Sequence, residues 1–287
     1  MTNTADYKYI KVDTPAAKVL RITLNRPKAR NALSNLLRGE LFDALYKADQ
    51  DDSINVMIIR GDEKAFSAGY DLKSDLREDR PFYTSPGIGH MVGGWARHVV
   101  EGSFRIWDLA KPVIAQVSGY CLAGGMELAH SCDLIYTTPD AKFGYPAVRM
   151  ISTADNHFFP WIFGLRRSME LMLTGDSISG TKAVEWGFAN AAYPFDELEE
   201  KVLEMAQRVA SVPRDLQQMN KRAVHKQMDL MGIRSALLAG AEIQELSSLT
   251  KTSELFGKMV AEGGLKKTLT ERDGKFGDYR TEGKELE

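Results

Sequence analysis

The 287-residue chain is long for one domain yet able to bury a sizeable core. A formal net charge of −2 and a pI near 6.3 give no electrostatic case for nucleic acid as a partner. The opening MTNTADYKYIKVD has no apolar h-region, no segment approaches the roughly 18 apolar residues of a membrane span, and Cys121 and Cys132 both lie in apolar context, so a cytoplasmic chain with buried thiols and no membrane partner is expected. In chain order, YKYIKVD (7–13) and VLRITLN (19–25) alternate apolar and polar residues and predict half-buried strands. SNLLRGELFDALYKAD (34–49) repeats apolar residues at helical spacing, with Ser34 placed as N-cap. NVMIIRG, PVIAQVSG and DLIYTT are apolar runs bounded by turn residues and read as buried strands. Between Leu72 and Lys111, Pro81, Pro86 and several glycines predict a long loop before a helix; its Tyr83, Met91 and Trp95 either line an apolar pocket or pack the loop down. Strands separated by helices predict an α/β core over residues 1–195. From Asp196 onward DELEEKVLEMAQRVASV, LQQMNKRAVHKQMD and SALLAGAEIQELSSL are helical patterns with no strand between them, so 196–287 reads as a helical extension.

Two glycine-bearing stretches carry the chemistry. In LAGGMELAHSCD, Gly124 and Gly125 end a strand-like run and open a short helical pattern. Glycine admits backbone angles closed to other residues and lets a ligand approach closely. A helix N-terminus adds unpaired N–H groups and partial positive charge. The stretch is either a plain strand-to-helix turn or a site for an oxygen that becomes negative during a reaction, and Glu127 is correspondingly a dipole-compensating residue or an acid/base facing that oxygen. FSAGYDL (66–72) also places a glycine where a buried strand yields to a turn. The two turns together offer one backbone N–H each to a single oxygen, an oxyanion hole in which losing one donor typically costs on the order of 10²–10³ in rate.

LNRPKARNAL, AFSAGYDL, KPVIAQVSGYCLAGGMELAHSCDLIY, FGYP and LTGDSISGTKAVEWGFAN, in that order over most of residues 20–195, resemble the successive signatures of the crotonase (enoyl-CoA hydratase/isomerase) superfamily. The resemblance implies an α/β fold, a crotonase-type spiral of ββα units, with a C-terminal helical region that builds homotrimers, often paired into hexamers. It implies an acyl-CoA substrate, coenzyme A entering as part of it, with no permanently bound cofactor. Carried over residue by residue, it places the two oxyanion donors at Tyr70 and Gly124, and contacts with CoA at Lys28, Ala29, Ala68, Tyr70, Asp71 and Leu72. The resemblance also implies a CoA contact near the extreme C-terminus, for which Lys275 and Phe276 are the nearest candidates. Lys28 reads otherwise as a solvated surface charge.

Glu127 matches the first catalytic glutamate of the hydratases. The second would follow FG-x-P directly, and that position is Ala147. An absent general acid/base usually costs about 10²–10⁴ in rate. Asp155, eight residues further on, matches the offset of a catalytic aspartate in some isomerases and a dehalogenase of the family; it reads otherwise as a turn or N-cap residue. His157 is close enough to share the site, while His90 and His98 are weaker candidates and His130 and His225 carry no motif. No nucleophile elbow makes Ser67 or Ser118 a hydrolase serine, no G-x-G-x-x-G or Walker A motif opens a helix, and five scattered histidines with two cysteines make no metal set. The expectation is an enoyl-CoA hydratase/isomerase-type enzyme with an altered acid/base set. Its rivals are an acyl-CoA hydrolase, a carbon–carbon bond-cleaving relative, and a non-catalytic acyl-CoA-binding protein.

Overall fold

Residues 7–73, 94–277 and 279 are described by the computed structural model, residues 94–97 by their backbone alone. The first unit is an antiparallel pair, β1 (Ile10–Ala16) with β2 (Val19–Leu24), followed by α1 (Asn35–Gln50). β1 begins three residues later than the alternation suggests, because the N–H groups of Lys8 and Tyr9 are taken by the Glu40 carboxylate of α1 at 3.0 and 2.7 Å. Ser34 caps α1 as expected, its Oγ accepting from the Leu37 N–H at 3.2 Å.

The same ββα step then repeats. β3 (Val56–Arg60), β4 (Ala65–Ser67) and α2 (Gly94–Trp107) form the second unit. The third is β5 (Val113–Val117), β6 (Tyr120–Leu122) and α3 (Gly124–His130). β7 (Leu134–Thr137), β8 (Lys142–Gly144) and α4 (Phe159–Thr174) make the fourth. Each unit puts its first strand in one sheet and its second in another, apart from the opening hairpin. With β9 (Ser177–Ser179), α5 (Gly180–Glu185) and β10 (Ala191–Ala192), a six-stranded sheet runs β1-β2-β3-β5-β7-β10 and a four-stranded sheet β4-β6-β8-β9. All pairings are parallel except β1 with β2 and β8 with β9.

Strands β3 and β5 read as near-continuous apolar runs because both faces are covered. On one face Met57, Ile59, Val113, Ala115 and Val117 join the main core, which continues into Phe143, Phe158, Phe159, Phe163 and Phe188 beneath α4. On the other, α6 (Phe195–Ala210) lays Leu198, Val202, Ala206 and Ala210, one turn apart, over Val56, Ile58 and Ile114. The chain continues as α7 (Arg214–Leu230), α8 (Ile233–Ser248), α9 (Lys251–Gly263) and α10 (Leu265–Gly274). α8 packs on α2, while Met219, Val224, Leu230, Ile243, Leu246 and Leu255 of α7, α8 and α9 are exposed. Among the described residues no helix is long and apolar enough to cross a membrane.

Candidate active site

Neighbouring parallel strands end at the same side of a sheet, and here that brings the two glycine turns together. β4 and β6 pair in parallel, Ser67 opposite Cys121. Gly69 lies at φ +100°, and a Cβ there would sit 2.9 Å from the Leu122 carbonyl oxygen and 3.3 Å from the Gly124 nitrogen. Only glycine fits so close an approach in that conformation. Ala123 holds a left-handed φ of +48° with ψ −118°, and its N–H donates to the Gly144 carbonyl of β8 at 2.8 Å. A non-glycine residue in such a conformation persists only where its surroundings hold it there. The strained residue sets the direction of Gly124, the first residue of α3, whose N–H falls among those with no acceptor inside the helix.

Three segments converge on Glu127, which has no solvent exposure. Tyr70 donates its phenol to Oε2 at 2.7 Å, and the Asn156 N–H donates to Oε1 at 2.9 Å. The Tyr145 phenol stands 2.8 Å from Oε1 and 3.0 Å from Oδ2 of Asp155, and itself accepts from the Asp155 N–H at 3.0 Å. Buried Arg38 of α1 places its guanidinium 5.6 Å from the centre of the Tyr70 ring and lends positive charge to Tyr70, Glu127 and Asp155. Burial pushes the Glu127 carboxyl above its usual range, against the pull of its hydrogen-bond donors and Arg38. The same burial, with carboxylates beside them, drives both phenols well above theirs. The Tyr70 ring lies over Gly124, where a Cβ would come within 2.5 Å of it. A cavity of about 20 Å³, room for about one water, opens beside it among Arg38, Phe42, Gly102 and Leu128.

Of the residues singled out by sequence, Glu127, Asp155, Tyr70 and Gly124 come together here. Ala147 lies half-buried on the single-turn 3-10 helix Pro146–Arg149 and brings no carboxylate. The His157 ring instead packs against Gly240 of α8 and bonds the Ala154 backbone. His98 is neutral, held down to about 3 by burial and then by Arg38 and Arg105. His130 stacks on Phe158 at 4.0 Å, and His225 places Nε2 3.1 Å from Asp133. Ser67 and Ser118 donate to the carbonyls of Asn31 and Asp62 and hold loops. Tyr83, His90 and Met91, and the side chain of Trp95, lie outside the described residues.

The stretch holding Lys28 and Ala29, a 3-10 turn at Pro27–Ala29, is clamped to the stretch holding Ala68, Asp71 and Leu72. The Ala68 N–H donates to the Arg30 carbonyl at 2.9 Å, Asn31 Nδ2 to the Ala65 carbonyl at 2.9 Å, and Arg26 pairs with Asp71 at 2.7 Å. Lys28 and Leu72 are exposed on this rim. Phe276 lies under the Arg149 guanidinium, 3.9 Å from ring centre to Cζ, so the segment with Lys275 folds back on its own chain. Tyr145 and Arg38 were not singled out. The FGYP motif holds the first, and an arginine on the face of α1 that carries Leu37, Leu41 and Leu45 marks the second.

The enoyl-CoA hydratase/isomerase family profile matches residues 14–255. The chain belongs to that family. EchA13 of Mycobacterium tuberculosis, which carries an enoyl-CoA hydratase name, is 35% identical over 84% of this chain and 81% of its own. 4-Chlorobenzoyl coenzyme A dehalogenase-1 from an Arthrobacter species is 28% identical over 79% of this chain and 80% of its own. A crystal structure of an enoyl-CoA hydratase/isomerase from Xanthobacter autotrophicus Py2 superposes with a TM-score of 0.84 at 32% identity, covering 94% of this chain and 99% of that one. The crotonase fold expected from the motifs is the fold observed.

Proposed function

We propose that this crotonase-family chain transforms an acyl-CoA thioester through an enolate or related oxyanion held by the N–H groups of Tyr70 and Gly124, with Glu127 and Asp155 moving the proton. The observation that carries this reading is a buried carboxyl pair, Glu127 and Asp155, joined through one phenol beside two touching glycine turns. A buried carboxyl whose pKa burial raises holds a proton more readily than an exposed one, which suits it to give or take one. Asp155 then serves where Ala147 brings nothing. The Tyr70 ring covers Gly124, so an acyl group reaches both donors once that ring turns aside; the backbone donors stay in place.

The clamped rim of Lys28, Ala29, Ala68, Asp71 and Leu72 is assigned to CoA, and the exposed apolar faces of α7, α8 and α9 to contacts among copies in a homotrimer or hexamer. The buried free thiols Cys121 and Cys132 fit a cytoplasmic site of action. A panel of crotonyl-CoA, trans-3-hexenoyl-CoA and 4-chlorobenzoyl-CoA separates hydration, isomerisation and substitution. Glu127→Gln abolishes turnover of whichever is used, and Asp155→Asn lowers it about 10²-fold or more. Binding of all three with turnover of none overturns the enzyme reading. Light scattering that finds only a monomer at micromolar concentration overturns the assembly.

A further inference from the structure

Tyr145 holds one proton, yet its oxygen makes two contacts that each need one. Glu127 Oε1 stands 2.8 Å away and Asp155 Oδ2 3.0 Å away, and an ionised carboxylate is an acceptor only. The phenol satisfies one of them with its own hydrogen. The other is then an approach of two acceptors, which repel unless a second proton lies between them. Both contacts are hydrogen bonds only when one carboxyl of the pair is protonated.

We infer that Tyr145 is a positioning residue that joins Glu127 and Asp155 into one acid–base unit sharing a single proton between the two carboxyls. This rests on the site reading above and adds to it the means by which Asp155 acts. In one arrangement Asp155 Oδ2–H donates to Tyr145 Oη, whose own hydrogen donates to Glu127 Oε1. In the other, Glu127 Oε1–H donates to Tyr145, which donates to Asp155. Interconversion breaks the Asp155 O–H and Tyr145 O–H bonds and forms a new Tyr145 O–H and a Glu127 O–H. One proton passes from Asp155 to Glu127, and the phenol keeps one throughout. A free phenolate is not required, in keeping with a buried phenol pushed well above its usual range.

The surroundings hold the bridge in place. The Tyr145 ring is 1% exposed and packs edge-on against Phe159, with centroids 5.7 Å apart. Pro146 follows it directly, and the Asp155 N–H fixes its oxygen at 3.0 Å. The ionisable groups facing the unit are Tyr70 after β4 and Arg38 from α1; Arg105 of α2 acts on Arg38, and both arginines hold His98 of α2 neutral. With the shared proton relayed to Glu127, that carboxyl can give it to a carbanion, which leaves both carboxylates ionised until a proton is next taken from the substrate; Asp155 itself need not touch the substrate.

Infrared spectroscopy of the whole unliganded chain at pH 7 tests this. A shared proton gives a protonated-carboxyl C=O band that is lost in both Glu127→Gln and Asp155→Asn, because each variant leaves one carboxylate with the phenol as its donor. A band that is absent from the unmodified protein, or that survives in full in either variant, overturns the bridge. A second readout is exchange of the C2 protons of butyryl-CoA in D2O, followed by NMR against pH. Tyr145→Phe lowers the rate about 10-fold or more and moves a limb of the pH profile by about one unit, since the carboxyls now titrate separately. A lower rate with an unmoved profile assigns Tyr145 a packing role and overturns the proposal. Full exchange in Glu127→Gln instead overturns the underlying site reading, which keeps the two failures apart. Should Tyr145→Phe not fold, the infrared comparison decides alone.

Discussion

Replacing Gly124 by alanine tests the contact that sets the state of the site. The new Cβ would sit 2.5, 2.7 and 2.7 Å from Cε2, Cδ2 and Cζ of Tyr70. Ordinary carbon–carbon contact needs about 3.5 Å, so the ring moves by about 1 Å. A displacement of that size carries the Tyr70 hydroxyl away from its 2.7 Å bond to Glu127 and beyond hydrogen-bonding range. Overpacking costs about 1–3 kcal/mol, and a lost hydrogen bond to a charged group about 1.5–3 kcal/mol. The total expected is about 2.5–6 kcal/mol. In a Tyr70→Ala background the ring is gone, and the same substitution costs nothing or gains a few tenths of a kcal/mol from helix propensity. Urea unfolding of the four proteins, with m-values checked for constancy, gives the coupling energy. An equal cost of Gly124→Ala in both backgrounds refutes the reasoning, because the clash would then lie elsewhere.

Burial raises the folded-state pKa of Glu127 above the roughly 4.3 of an unfolded chain, so its contribution favours the fold fully below about pH 4 and is lost as pH rises through the raised value. Glu127→Gln lacks that titration, and its stability relative to the unmodified protein should climb across this window by about 1.4 kcal/mol per unit of elevation; parallel stability curves between pH 4 and 8 would contradict it. Asp133 accepts from the Val113 N–H and from the nearly buried Lys221, both at 2.8 Å, so Asp133→Ala should cost about 3–5 kcal/mol in urea unfolding, with part recovered by adding Lys221→Met. Ala147→Glu should raise crotonyl-CoA hydration at least about 10-fold by restoring a carboxyl where hydratases carry one, and an unchanged rate in the folded variant would show that the site no longer holds a water there.

Apart from the two-residue β10, the large sheet was readable from sequence because β3, β5 and β7 each carry at least four residues of apolar or β-branched character. The small sheet was not. β4, β6, β8 and β9 are three residues each, too short for any alternation to register. PVIAQVSGYC looks like one run, yet Gly119 at φ +60° divides it between two sheets. Glu127 stood out as a carboxyl beside a glycine turn, and Asp155 by its offset from Ala147 in the family pattern. Their connection did not, because an aromatic residue between glycine and proline reads as core. Arg38 has the composition of a surface helix residue, and only its position one turn after Ser34 on the buried face of α1 betrays it.

The small sheet also acts as a ruler. Its strands are laid β4, β6, β8, at a pitch of about 4.8 Å that the backbone ladder does not vary. Glu127 follows the middle strand, Tyr70 follows one flank and Tyr145 the other, and the two phenols reach inward to the same carboxylate at 2.7 and 2.8 Å. The backbone offers no finer adjustment than one strand. Reach within the site is therefore graded by side-chain length, and tyrosine supplies the span on both sides.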